Sequence, residues 1–204
     1  MWRRRRGPEG SVQEADLLAV DLETTGLDPQ RHEVLSVGLV PVRGLVIELS
    51  GARQYAVRPV RASGVGQSAA VHGITDDTAS TGAPLASILP AVLAALEGRV
   101  LLAHHASIEV GFLAAACRGA GLAVPDVAVV DTLQLQRRIL RRSRLQGQVA
   151  HGELTLGAAR AHHGLPRYRS HDALTDALAC AELFLAQVAA LSGGRELALR
   201  KLVR

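Results

Sequence analysis

Leu17-Leu18-Ala19-Val20-Asp21-Leu22-Glu23-Thr24-Thr25-Gly26-Leu27-Asp28 decides the fold of this chain, because a short apolar run ends in acids and then breaks at a glycine. Residues 17–23 suit a buried central strand. Side chains two apart on a strand share a face, so Asp21 and Glu23 project together from its C-terminal end. Gly26 permits a tight turn and a close approach of backbone to a ligand. Two acids on one face of an apolar strand are costly to bury unless something positive pairs with them. A divalent ion is one such partner, and hard Mg²⁺ or Mn²⁺ suits carboxylate oxygen. Taken alone, the pair reads equally as two ordinary acids at a solvated strand end.

Working outward, Glu33 to Val42 and Gln54 to Pro59 read as the next strands, separated by turn signals at residues 41–44 and 51–53. This is the pattern of an antiparallel meander. Residues 62–73 carry no pattern, and Leu85, Ile88, Leu89, Val92, Leu93 and Leu96 then recur at helical spacing around Pro90, which should kink the helix or restart it. Residues 99–105 read as a strand, 107–118 as a helix and 127–132 as a strand, an order that makes the later strands parallel. A basic helix over 133–144 breaks near Gly147, a short helix over 155–163 stops at Gly164-Leu165-Pro166, and a long helix runs from about His171 to Leu191. The expectation is one α/β domain over residues 15–191. Its mixed sheet has five strands, three in an antiparallel meander and two parallel, flanked by helices. Residues 1–14 read as a flexible basic lead-in and 192–204 as a short basic tail.

At 204 residues the chain can bury one full core. No apolar run approaches the roughly 18–20 residues of a membrane span, and the Arg3–Arg6 cluster has no apolar stretch behind it, so neither a membrane segment nor a secretory signal is expected. A cytoplasmic setting follows. Cys117 and Cys180 lie in alanine-rich helical segments and read as small buried residues, without a disulfide. The net charge of +4 fits a polyanionic partner, although Lys201 is the only lysine and the bias toward Ala, Arg and Gly can account for it. Aromatics at 2% leave no platform for extensive base stacking. Arg137, Arg138, Arg141, Arg142 and Arg144, with Arg3–Arg6, could track a phosphate backbone or form a solvated helical face.

Two further clusters carry chemistry. In His171-Asp172-Ala173-Leu174-Thr175-Asp176, His171 and Asp176 reach one site only if His171 stands at the entry to the helix. Imidazole there suits proton removal from water near neutral pH. Alternatively, Asp172 caps the helix and the other two are incidental. In His104-His105-Ala106-Ser107-Ile108-Glu109, Glu109 falls in a first helical turn, where the helix dipole favours an acid without any function. The adjacent pairs His104-His105 and His162-His163 point apart and lack a cysteine, which disfavours zinc.

Asp-x-Glu on the first strand, an acid after the fourth and His-x₄-Asp on the last helix resemble, in combination, the DEDD-type 3′–5′ exonuclease superfamily in its histidine branch. That branch includes polymerase III epsilon-like proofreading exonucleases, RNase T and oligoribonuclease. The resemblance covers residues 15–191. Asp21 to Asp28 and His171 to Ala177 match two motifs throughout, and 71–75, 130–133 and 155–156 agree as secondary signatures. It implies an RNase H-like fold and a site of two Mg²⁺ or Mn²⁺ ions held by Asp21, Glu23, Glu109 and Asp176, with Asp21 bridging. By the same resemblance His171 is the general base. Thr24, Thr25, Gly26 and Leu27 lie against the terminal nucleotide, with His72 and His105 near the substrate. The implied partners are 3′ ends of single-stranded nucleic acid, DNA or RNA, and a DNA polymerase is a further partner that the resemblance allows. Oligomeric state stays open.

The chain departs from the family at residues 104–109, where the usual pattern is His-Asn-x-x-Phe-Asp. Glu109 moves the carboxylate by about 1.5 Å relative to Asp, and His105 stands where the family has asparagine. These departures keep an alternative in view, a catalytically weakened nucleic-acid-binding or polymerase-associated module on the same fold.

Overall fold

The computed structural model describes residues 10–60, 65, 68–143, 149–169 and 171–203; the Arg3–Arg6 cluster, Arg144 and Gly147 lie outside them. β1 (Asp16–Thr24) pairs antiparallel with β2 (Val34–Arg43), and β2 pairs in turn with β3 (Val46–Ile47) and β4 (Arg53–Arg58). Two short helices, α1 (Ala69–His72) and α2 (Asp76–Ser80), lead to β5 (Ala83–Pro84) beside β4. α3 (Leu85–Leu96) then crosses to β6 (Val100–Ala103), which runs parallel to β1. α4 (Ser107–Gly119) connects to β7 (Val129–Asp131), parallel to β6. α5 (Thr132–Ser143), α6 (Leu156–His162) and α7 (Ala173–Ser192) follow. The sheet order is β5-β4-β2-β1-β6-β7, with β3 on β2.

The five expected strands are present in the expected mixed arrangement, but the sheet has seven. β3 and β5 are two residues each, too short to leave a periodic signal. Pro41, read as part of a turn, lies within β2 opposite Leu18. It is tolerated because β4 has already diverged, its register ending at Leu39 and Arg53. α3 continues through Pro90 as one helix.

Period-two alternation sorts β1 between two cores. Leu17 and Ala19 join a cluster with Ala177, Cys180, Phe184 and Val188 of α7. Leu18, Val20 and Leu22 pack on the opposite face with Ile88, Leu89 and Val92 of α3 and Phe112 and Leu113 of α4. α7 is also the one helix among the described residues that is long and apolar enough to cross a membrane. Here its apolar stripe is spent on the sheet.

The ends of the domain differ from the expectation. Val12 is fully buried in a 3₁₀ turn, and its N–H donates to the Leu197 carbonyl at 2.9 Å. Leu197, Leu199 and Leu202 are buried in the same core cluster. The lead-in over 10–14 and the tail after 192 therefore close the end of the α7-side core. A single apolar residue in one segment, and Leu197, Leu199, Leu202 and Val203 at uneven spacing in the other, left no pattern to read.

Candidate active site

β1 outruns its parallel neighbour. β6 pairs only with Leu17, Leu18 and Ala19, so Asp21 and Glu23 stand beyond the end of that ladder. They continue the Leu17–Ala19 face, the one that α7 covers. Loops following β6 and β7 emerge at the same edge, the usual position for ligands in open α/β sheets. Gly38, opposite Asp21 in β2, makes the approach of α7 possible: a β-carbon there would collide with the Ala173 carbonyl and the Leu174 nitrogen.

α7 is capped by Asp172, whose Oδ1 accepts the Thr175 N–H at 2.9 Å while Oδ2 accepts from Gln54 Nε2 at 2.9 Å. The capping reading of Asp172 is thus correct, and it coexists with the site. Burial pushes the Asp172 carboxyl up, but these hydrogen bonds outweigh it and hold it below its ordinary value. His171 stands before the cap with φ +71° and donates its backbone N–H to Asp176 Oδ2 at 2.7 Å. That left-handed turn solves the spacing problem of five residues. Ligand atoms of Glu23, His171 and Asp176 all lie within 4.8 Å of one another.

Asp21 and Glu109 complete the acidic group. Glu109, in the first turn of α4, is 3% exposed. The Asp21 carboxyl is raised well above its ordinary value by burial, then by repulsion from Glu109, Asp176 and Glu23. Burial followed by Asp176 and Asp172 lifts Glu23 to about 7. Burial also raises Asp176, against the His171 N–H and the His171 charge, which lower it. Carboxylates that hold protons this firmly are a donor set short of positive charge, and oxygen ligands of this kind fit a hard divalent cation. The residues present therefore fit a metal ion.

The first loop is braced from within. Thr24 Oγ1 donates to the Gly26 carbonyl at 2.8 Å, and Thr25 Oγ1 accepts the Glu33 N–H at 3.0 Å. Gly26 sits against the His32 ring with no room for a β-carbon. Leu27 is 73% exposed, an apolar side chain left free for something else to cover. A cleft of about 590 Å³ adjoins Glu23 and His171 and is lined also by Ser36, Gln54, His72 and Arg169. His72 Nδ1 accepts the Ile74 N–H at 3.1 Å, so its buried Nε2 carries the ring proton, with no acceptor among the described residues. Burial and the nearby His171 lower the His72 pKa.

His105 is not gathered in with the acids. Its side chain is exposed, its φ is +69°, and its N–H donates to Asp131 Oδ1 at 3.1 Å. Asparagine and histidine are both enriched in this left-handed region, which accounts for their exchange at this position. His104 is a buttress: Nε2 donates to the Leu154 carbonyl at 2.8 Å, leaving Nδ1 to accept from Thr132 Oγ1 at 2.8 Å. Sequence reasoning missed Gln54 and Arg169. Arg169 had a signal, the Arg167-Tyr168-Arg169 run just ahead of His171; Gln54 had none. The basic helix α5 starts at this edge, where Thr132 meets His104, and carries Arg141 and Arg142 in its last turn.

A mixed sheet with flanking helices and acids converging at one edge is the arrangement of a nuclease domain. Residues 18–184 match the RNase T exonuclease family, and the chain belongs to that family. It is 27% identical over 178 residues to a PolC-type DNA polymerase III of Thermotoga petrophila, and 29% identical over 185 residues to one of Caldanaerobacter subterraneus. These matches cover 87% and 88% of this chain but 12% of each polymerase. Among solved structures, the nuclease domain of 3′hExo, a DEDDh family member bound to rAMP, superposes with a TM-score of 0.73 at 19% identity. That match covers 92% of this chain and 97% of the other. E. coli exonuclease I in complex with a dT13 oligonucleotide gives 0.73 at 14% identity, covering 86% of this chain and 41% of that one. At such identities the likeness is one of fold. Family and fold together bear out an exonuclease domain on an RNase H-like mixed sheet.

Proposed function

We propose that this domain hydrolyses the terminal phosphodiester at the 3′ end of single-stranded nucleic acid and releases nucleoside 5′-monophosphates. The observation that carries the reading is the convergence of Asp21, Glu23, Glu109 and Asp176 with the imidazole of His171 at one edge of the sheet. Two divalent ions, Mg²⁺ or Mn²⁺, would be held by those four carboxylates, and when bound they supply charge stabilisation for the phosphate and acidify water.

The protein's own groups do the rest. His171 accepts a proton from the attacking water, its place fixed by the N–H bond to Asp176. Leu27 and the backbone of Thr24, Thr25 and Gly26 meet the terminal nucleotide. His72 lines the cleft that adjoins Glu23 and His171 and so stands near the substrate. His105, exposed on the next loop, lies near the strand's path. A DNA polymerase is the partner suggested by the PolC-type relatives, and a cytoplasmic setting suits two buried free cysteines.

The test is release of 5′-mononucleotides from matched DNA and RNA oligomers with Mg²⁺ or Mn²⁺, compared with oligomers blocked at the 3′ end. Release from free 3′ ends alone is expected. Oligomers that bind but yield no mononucleotide with either metal would replace the reading with a binding module.

A further inference from the structure

The stretch that delivers His171 runs between two cavities. On one side Arg169 and His171 line the 590 Å³ cleft. On the other, Pro166, Tyr168 and Asp176 line a separate cavity of about 330 Å³ together with Arg160. A segment with open space on both sides gains little position from packing, so its anchors decide where His171 stands.

One anchor is the bond from the His171 N–H to Asp176. The other is Arg160 of α6, a guanidinium only 4% exposed. Its Nη1 donates to the Ala179 carbonyl of α7 at 2.7 Å, and its Nη2 donates to the Pro166 carbonyl at 3.0 Å. The same Nη2 lies 2.8 Å from Glu182 Oε2. The guanidinium carbon sits 4.5 Å from the centroid of the Tyr168 ring, and the Tyr168 hydroxyl donates to Glu182 Oε1 at 2.8 Å. A planar fork with several fixed donors can join three elements in this way, where an ammonium could not.

We infer that Arg160, locked by Glu182 and Tyr168, is a positioning residue that fixes the root of the His171 segment and so sets the alignment of that imidazole with Asp176 and Glu23. The inference rests on the reading of His171 as the base. Arg160 acts on that alignment through its bond to the Pro166 carbonyl, and its positive charge also bears on Asp176.

The experiment is a double-mutant cycle on the full chain with a single-stranded oligodeoxynucleotide and Mn²⁺. Arg160→Met with Glu182→Met removes both charges together, so neither is left buried alone. This clamp variant should lose about tenfold or more in kcat, as misplaced catalytic groups do, with KM little changed. Its melting-temperature rise with Mn²⁺ should persist, because all four carboxylates remain and loss of the Arg160 charge beside Asp176 does not oppose a cation. In a His171→Ala background the same substitutions should change kcat by less than about twofold, since groups acting as a unit are non-additive. If the double variant does not fold, Tyr168→Phe carries the same test through loss of one hydrogen bond, with a several-fold loss of kcat expected only when His171 is present. An equal loss in both backgrounds, or wild-type kcat in the clamp variant beside an inactive His171→Ala, overturns the inference and leaves the proposed function standing. Wild-type kcat for His171→Ala itself overturns both.

Discussion

His171 reaches back over its own helix cap to place its N–H 2.7 Å from Asp176 Oδ2, using a left-handed backbone at φ +71°. One carboxylate therefore serves as both candidate metal ligand and anchor for the candidate base. Each role can be removed separately.

His171→Ala removes the imidazole and keeps the backbone bond. Loss of a general base lowers kcat by about 10²–10⁴-fold. Because the substituted side chain is exposed, the fold and the melting-temperature rise with Mn²⁺ should persist. A variant that no longer gains stability with Mn²⁺ would instead make His171 a metal ligand.

The acidic cluster makes the metal-free protein pH-sensitive. Burial and mutual repulsion raise Asp21, Glu23 and Asp176, and Glu23 moves from 4.5 to about 7. Across that window the folded chain holds protons that the unfolded chain releases, so stability falls as pH rises. Thermal melts in chelator should show Glu23→Gln gaining more over the wild type at about pH 8 than at about pH 5, a comparison in which the opposing contribution of His72, His104 and His163 cancels, and Mn²⁺ should recover more of the wild type at the higher pH. A gain that does not grow with pH would mean that the carboxylates do not repel as described.

Gly38 is where α7 crosses the sheet. Gly38→Ala would drive a methyl group into the Ala173 carbonyl and displace the helix start that carries Asp176. A shift of about 1 Å costs on the order of 10²-fold in rate, so both activity and melting temperature should drop. Gly119→Ala, in helix α4 with nothing within 4 Å, serves as the control and should leave activity unchanged without lowering the melting temperature.

Most of this site was legible from residue order alone. The period-two pairing of Asp21 with Glu23 and the match of residues 171–177 to a motif pointed to one edge of the sheet. Other contributions were hidden. The reach of His171 to Asp176 depends on a positive φ, which spacing cannot reveal, and the close approach of α7 depends on Gly38, one glycine among 20. The closing of the domain by Val12 and Leu197 was hidden for another reason, since one apolar residue in the first segment and four unevenly spaced large ones in the second carry no period. Gln54, which steadies Asp172 from β4 at 2.9 Å, is a contact across 118 positions and has no local signature.

The left-handed position at His105 explains the departure from asparagine better than a change of substrate does. His105→Asn should keep both stability and rate. His105→Val, whose branched side chain tolerates φ +69° poorly, should cost about 1–2 kcal/mol in denaturant unfolding. Equal stabilities for the two variants would show that the backbone there relaxes freely.

The central claim is that the carboxylates at this edge are the hydrolytic centre. It is tested most directly by measuring mononucleotide release from a 3′-hydroxyl oligomer with Mn²⁺, in parallel for the wild type, Asp21→Asn and Asp176→Asn. The wild type should release 5′-monophosphates, while both variants should fold and lose activity by at least about 10²-fold. Wild-type release by either folded variant would place the chemistry elsewhere.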